Sequence, residues 1–80
     1  MDNNLFEEIK LLTLFNPDNL QEGIKVHHEA DPARIAAAQR LFDKQLTTLV
    51  DGGYLTPLGV SAAEHVHSLM TILTTEPGLS

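Results

Sequence analysis

A chain of 80 residues has room for one small core, burying only about 60–65% of the surface that it exposes when unfolded. The absence of cysteine excludes a disulfide framework, a thiolate metal site and a cysteine nucleophile. Eleven acidic residues against five basic ones leave a formal charge of −6, whereas phosphate-binding domains are usually basic.

The charge is unevenly spread. Residues 1–31 hold seven acids and two bases, residues 51–80 hold three acids and no base, and the middle segment sets Arg34, Arg40 and Lys44 against Asp43 alone. The start, Met1-Asp2-Asn3-Asn4, is acidic where a signal peptide would be basic, and no apolar run reaches membrane length. The expectation is a soluble, cytoplasmic protein with no membrane partner.

The first helix is expected from Asn3 or Asn4, because Asn4 and Glu7 stand at capping-box spacing. Leu5, Ile9 and Leu12 repeat at helical spacing, and Leu11, Leu14 and Phe15 widen the stripe beyond one core contact. That surplus predicts a homodimer through the first and last helices, with Leu11, Leu14, Phe15 and Ile72 at the interface. Asn16-Pro17 ends this helix and, read as cap then proline, opens a short second one through Leu20 to Glu22. Ile24 and Val26 return to the core. His27-His28-Glu29-Ala30 is a polar connector whose adjacent histidines diverge and lack a third ligand, so no metal or cofactor is expected.

Asp31-Pro32 opens a third helix to about Gln45. On a helical projection Ile35, Ala38, Phe42 and Leu46 share one side, with Ala33, Ala37, Arg40 and Lys44 opposite. The second side is expected to face outward and to be the main contact surface, since small residues admit a close partner and the cations attract an anionic one. Thr47 to Val50 and Tyr54 to Thr56 then flank Asp51-Gly52-Gly53, a hairpin with its turn at those three residues. Thr56-Pro57 starts the last helix, with Leu58, Ala62, Val66, Leu69 and Leu73 on its expected apolar face. Residues 1–75 make one domain, and 76–80 a flexible tail. His65 and His67, two apart on a helix, cannot chelate one ion together. Ser61, Ser68 and Ser80 stand in no nucleophile elbow, and the double glycine lacks the lysine of a phosphate loop, so no catalytic residue is expected.

The phrase Leu55-Thr56-Pro57-Leu58-Gly59, after the Gly52-Gly53 hairpin and Leu41 to Leu46, resembles the second half of bacterial winged helix-turn-helix domains. Over nearly its whole length the chain also resembles a short bacterial family of uncharacterised proteins, through Leu12 to Asn16, Gln21 to His28 and Asp51 to Thr56. The resemblance implies a mainly α fold (α+β by count), winged helix-turn-helix-like, with four helices and a two-stranded β-hairpin between the third and fourth. It also implies a DNA-binding or transcription-associated module, with Arg34, Arg40 and Lys44, and Lys25 beside them, as contacts to double-stranded DNA. So few phosphate partners make that binding weak at physiological salt. The other reading is a non-catalytic protein-interaction module, acidic and homodimeric, and the excess apolar surface favours it.

Overall fold

Asp2 rather than an asparagine starts the first helix: its carboxylate accepts the Leu5 N–H at 2.8 Å, as an N-cap does. The computed structural model describes residues 2–75, and the tail expected over 76–80 lies outside them. Helix α1 runs Asn3–Leu12, and Thr13 to Phe15 close it in a tightening turn. Its buried residues are Glu8, Leu11, Leu12 and then Phe15, the i, i+3, i+4, i+7 pattern of one helix face.

The second helix expected at Leu20 to Glu22 does not form. Asn16 Oδ1 accepts the Asp18 N–H at 2.9 Å, and Asn19 Oδ1 accepts the Gln21 N–H at 3.1 Å. These Asx turns supply the backbone with local partners that compete with helical ones. A hydrogen bond from Asn16 Nδ2 to Glu22 Oε2 at 3.1 Å closes the loop. The chain leaves it as a strand, β1 (Ile24–Lys25).

Helix α2 (Pro32–Asp43) is capped by Asp31, whose carboxylate accepts the Ala33 N–H at 2.8 Å. It ends in a Schellman motif. Gln45 takes a left-handed φ of 66°, Leu46 N–H bonds Leu41 O, and Gln45 N–H bonds Phe42 O. Strands β2 (Thr47–Leu49) and β3 (Gly52–Leu55) follow, with the turn at Val50 and Asp51 rather than at the glycines. The glycines belong to β3, where they let β1 approach: Ile24 pairs with Gly53 and Lys25 with Gly52, antiparallel. A Cβ on Gly52, at φ +123°, would lie 2.7 Å from Ile24 O. The result is a three-stranded antiparallel sheet in the order β1-β3-β2.

Helix α3 (Pro57–Thr74) starts at Thr56, whose hydroxyl accepts the Gly59 N–H at 3.0 Å and donates to Gln45 O at 2.7 Å. The fold is therefore mixed α+β, with three helices and three strands among the described residues. It is not four helices with a two-stranded hairpin. With turns in place of a helix between α1 and α2, the consecutive helices of a winged helix-turn-helix are missing. The core lies between α1, α2 and the sheet, and is built on Leu11, Leu12, Val26, Ala37, Ala38 and Leu41.

Candidate functional site

The expected contact face of α2 is turned inward. Ala37 is 0% exposed and packs in the core with Ala38 and Leu41, while Ile35 and Phe42, expected inside, are partly in solvent. The small alanine lets α1 come close. Glu8 of α1, only 4% exposed, then meets Arg40 and Lys44 across the contact. Arg40 donates from Nε to Glu8 Oε2 at 2.8 Å and from Nη2 to Asn4 O at 3.1 Å. Lys44 Nζ donates to Glu8 Oε1. Burial pushes the Glu8 carboxyl up, but hydrogen bonds from Lys44 and Arg40 and their charges outweigh it, leaving the pKa below the ordinary value. The two cations are thus committed to holding α1 against α2.

Of the other expected contacts, Ala33, Arg34 and Lys25 are exposed. Among the described residues Lys25 and Arg34 make no ion pair, and Lys10 is held by Glu7 at 2.9 Å. The expected dimer residues divide in the same way. Leu11 and Phe15 are buried within the chain, so they are not available to a partner, while Leu14 and Ile72 are exposed.

The larger uncovered surface is on α3. The helix packs inward through Gly59 and Ala63, with Ala62, Val66 and His67 half-buried beside them. His67 donates from Nε2 to Phe15 O at 2.9 Å and ties mid-helix to the end of α1. The expected apolar face is therefore rotated. Leu58, Leu69 and Leu73, expected in the core, are 59%, 51% and 68% exposed, and Ile72 is 69% exposed. From Ser68 to Thr75 every residue is exposed, with Pro17 and Asp18 of the α1–β1 loop lining a depression beside Ser68 and Thr71.

The outer side of α3 carries Leu58, Ser61, His65, Ser68 and Ile72, spaced by alternating threes and fours. That spacing sets them along one side of the helix, as a seam with apolar ends and a polar middle. A shallow groove runs along it between Glu64, His65, Ser68, Leu69 and Ile72. No Asp, Glu, Lys or Arg occupies those five seam positions, and Glu64 is the only charged residue of α3. Sequence alone gives this face little weight, because its two large ends, Leu58 and Ile72, are separated by polar residues; the alternating spacing is the signal that it carries.

A second depression, about 320 Å³, lies between β1, α2 and the β2–β3 turn, with Val26, Ile35 and Val50 on its walls and Lys25 and His28 at its rim. His27 and His28 are exposed in the connector, and His65 donates from Nδ1 to Ser61 O at 2.6 Å. Among the described residues no three His, Asp or Glu side chains gather as a metal set, and no helix is long and apolar enough to cross a membrane.

The Family of unknown function (DUF5669) matches residues 1–74. The chain belongs to this family. No curated protein and no solved structure gives a significant match. In this DUF5669 chain, then, the outer face of α3 is the surface whose chemistry remains unspent by folding.

Proposed function

We propose that this chain is a non-catalytic protein-interaction module that docks through the outer face of α3. The observation that carries this reading is the uncovered row of Leu58, Leu69, Ile72 and Leu73 on a helix whose inner side already rests on the body. Leu69, Ile72 and Leu73 cluster on the last two turns, and an exposed apolar cluster of this kind on a small domain marks a place for another chain. Double-stranded DNA finds less to hold. Arg40 and Lys44 are engaged by Glu8, which leaves Lys25 and Arg34 on a chain of net charge −6. Two phosphate contacts give little affinity at physiological salt.

The test is a photo-crosslinking residue at Ser68, on the outer side and exposed. Irradiation in living cells should give adducts heavier by the mass of a polypeptide. If only unmodified chain and nucleic-acid adducts appear, the reading is wrong.

A further inference from the structure

We infer that the depression between β1, α2 and the β2–β3 turn binds a free α-amino acid with an apolar side chain of about leucine size. No residue that lines it belongs to α3, so the site stands apart from the docking face. Its floor is finished core, the buried Val26 and Ala38. Its walls are not, since Ile35 and Val50 keep 37% and 46% of their surface in solvent. A volume of about 320 Å³ lies at the lower limit of ligand sites and suits an amino acid better than a nucleotide or a flavin.

The rim supplies the ligand class. Lys25 and Asp51 both line the depression, and the Asp51 carbonyl accepts the Val26 N–H at 2.8 Å, which fixes the aspartate beside the floor. Yet Lys25 and Asp51 form no ion pair, with each other or with any other described residue. An apolar hollow flanked by one cation and one anion is complementary to a molecule that carries an apolar side chain and both charges on a single carbon. Its carboxylate would meet Lys25 and its ammonium Asp51. His28, at the same rim, has a ring N–H to add to the carboxylate, while Gln39 is already engaged by Asp43 at 2.9 Å.

Net charge separates this ligand from a simpler one. A body of charge −6 repels a free apolar carboxylate, and such a ligand would leave Asp51 unanswered beside its apolar part. An apolar amine would leave Lys25 in the same position. A zwitterion has no net charge to be repelled and answers both groups.

Amide NMR titration of the intact chain with L-leucine is the test. The amides of Val26, Ala38, Val50 and Asp51 should shift while those of Ser68 to Leu73 stay in place. A dissociation constant on the order of 1 mM is expected for about nine non-hydrogen atoms in a site open on one side. Isocaproate, which lacks the ammonium, and isoamylamine, which lacks the carboxylate, should each bind about three- to tenfold more weakly. Glycine, without a side chain for the floor, should not bind detectably. Asp51→Asn should narrow the preference for leucine over isocaproate, and Lys25→Met should narrow that over isoamylamine. An absence of shifts at about 20 mM L-leucine would overturn the site. Isocaproate or isoamylamine binding as tightly as leucine would overturn recognition at both ends, and so would preferences unchanged in the variants. The comparison of ligands needs only the unaltered protein, so it decides the matter even where a variant fails to fold. Crosslinking from Ser68 reads a different face, so neither result can stand in for the other.

Discussion

Glu8 and Arg40 form a hydrogen-bonded ion pair at 2.8 Å across the contact between α1 and α2, with the carboxylate 4% exposed. A second donor, Lys44, takes the other carboxylate oxygen, so both oxygens are satisfied. The arrangement is asymmetric. Glu8 is enclosed, whereas the side chains of Arg40 and Lys44 keep 27% and 51% of their exposure. Removing either cation leaves the carboxylate with one partner and the other cation near water. Removing Glu8 frees both cations to solvent at little further cost.

From this follows a pH-dependent stability. The folded-state pKa of Glu8 is lowered, so its contribution is present above the ordinary carboxylate value of 4.5 and is lost as pH falls through the lowered one. Glu8→Gln keeps the shape and removes the charge. It should cost about 1–3 kcal/mol at pH 7, the scale of hydrogen bonds to a charged group. Urea unfolding of both proteins between pH 7 and pH 2.5 checks this. The stability gap should be steady above pH 5 and narrow on acidification. A gap that persisted unchanged to the acid limit would mean that the carboxylate's charge contributes nothing.

Ala37 gives a sharper contrast with its neighbour. Ala37 has no exposed surface and Ala36 is exposed, although both stand on the same turn of α2. Ala37→Glu places an unpaired carboxylate in the core, at a cost of about 3–5 kcal/mol. That approaches the whole stability of a domain this size, roughly 5 kcal/mol. Circular dichroism at 25 °C should show Ala37→Glu largely unfolded and Ala36→Glu native. Equal melting temperatures for the two would contradict the packing of α2 on α1.

The local signals of this fold were legible and the long-range ones were not. Asp31-Pro32 and Thr56-Pro57 announce α2 and α3 because cap and proline act within one turn. The strand at Ile24–Lys25 has no local signal, being two residues long and defined by pairing with Gly52 and Gly53. Those glycines suggest a turn because they tolerate positive φ, which they do adopt, at 123° and 74°, but inside β3. The Asn16-Pro17 phrase fits a helix start as well as it fits the Asx turn that forms. For the site, the projection of α2 assigned the bulky residues inward. The close contact with α1 selects Ala37 instead, and that depends on Glu8 being available 29 positions earlier to meet Arg40 and Lys44. A carboxylate on a buried helix face has no one-sequence signature.

Binding to duplex DNA separates the two functional readings by its salt dependence. If Lys25 and Arg34 alone reach phosphates, log K against log salt should have a slope no steeper than about −2. Arg40→Ala with Lys44→Ala should leave that slope unchanged while lowering stability, since both act on Glu8. Fluorescence anisotropy with mixed-sequence duplex between 20 and 150 mM salt measures it. A slope near −4 that fell by about 2 in the double variant would place both cations on the nucleic acid.

Gly59 tests how α3 is seated, and with it the direction in which the seam faces. Replacing glycine by alanine at an exposed position inside a helix normally stabilises by about 1 kcal/mol. Here a methyl group would overlap the carbonyl oxygen of Leu46, which already accepts the Thr56 N–H at 3.1 Å. Backbone cannot turn aside as a flexible side chain can, so either the Leu46–Thr56 bond opens or the start of α3 lifts from the body. Gly59→Ala should therefore destabilise by about 1–3 kcal/mol, the range for overpacking a filled site. Ser68→Ala, on the exposed outer side of the same helix, should be neutral or stabilising by a few tenths of a kcal/mol. Thermal denaturation of dilute protein keeps self-association out of the comparison. Opposite signs for the two substitutions are expected; a stabilised Gly59→Ala would mean that α3 rests farther from Leu46, and the residues that face outward would have to be assigned again.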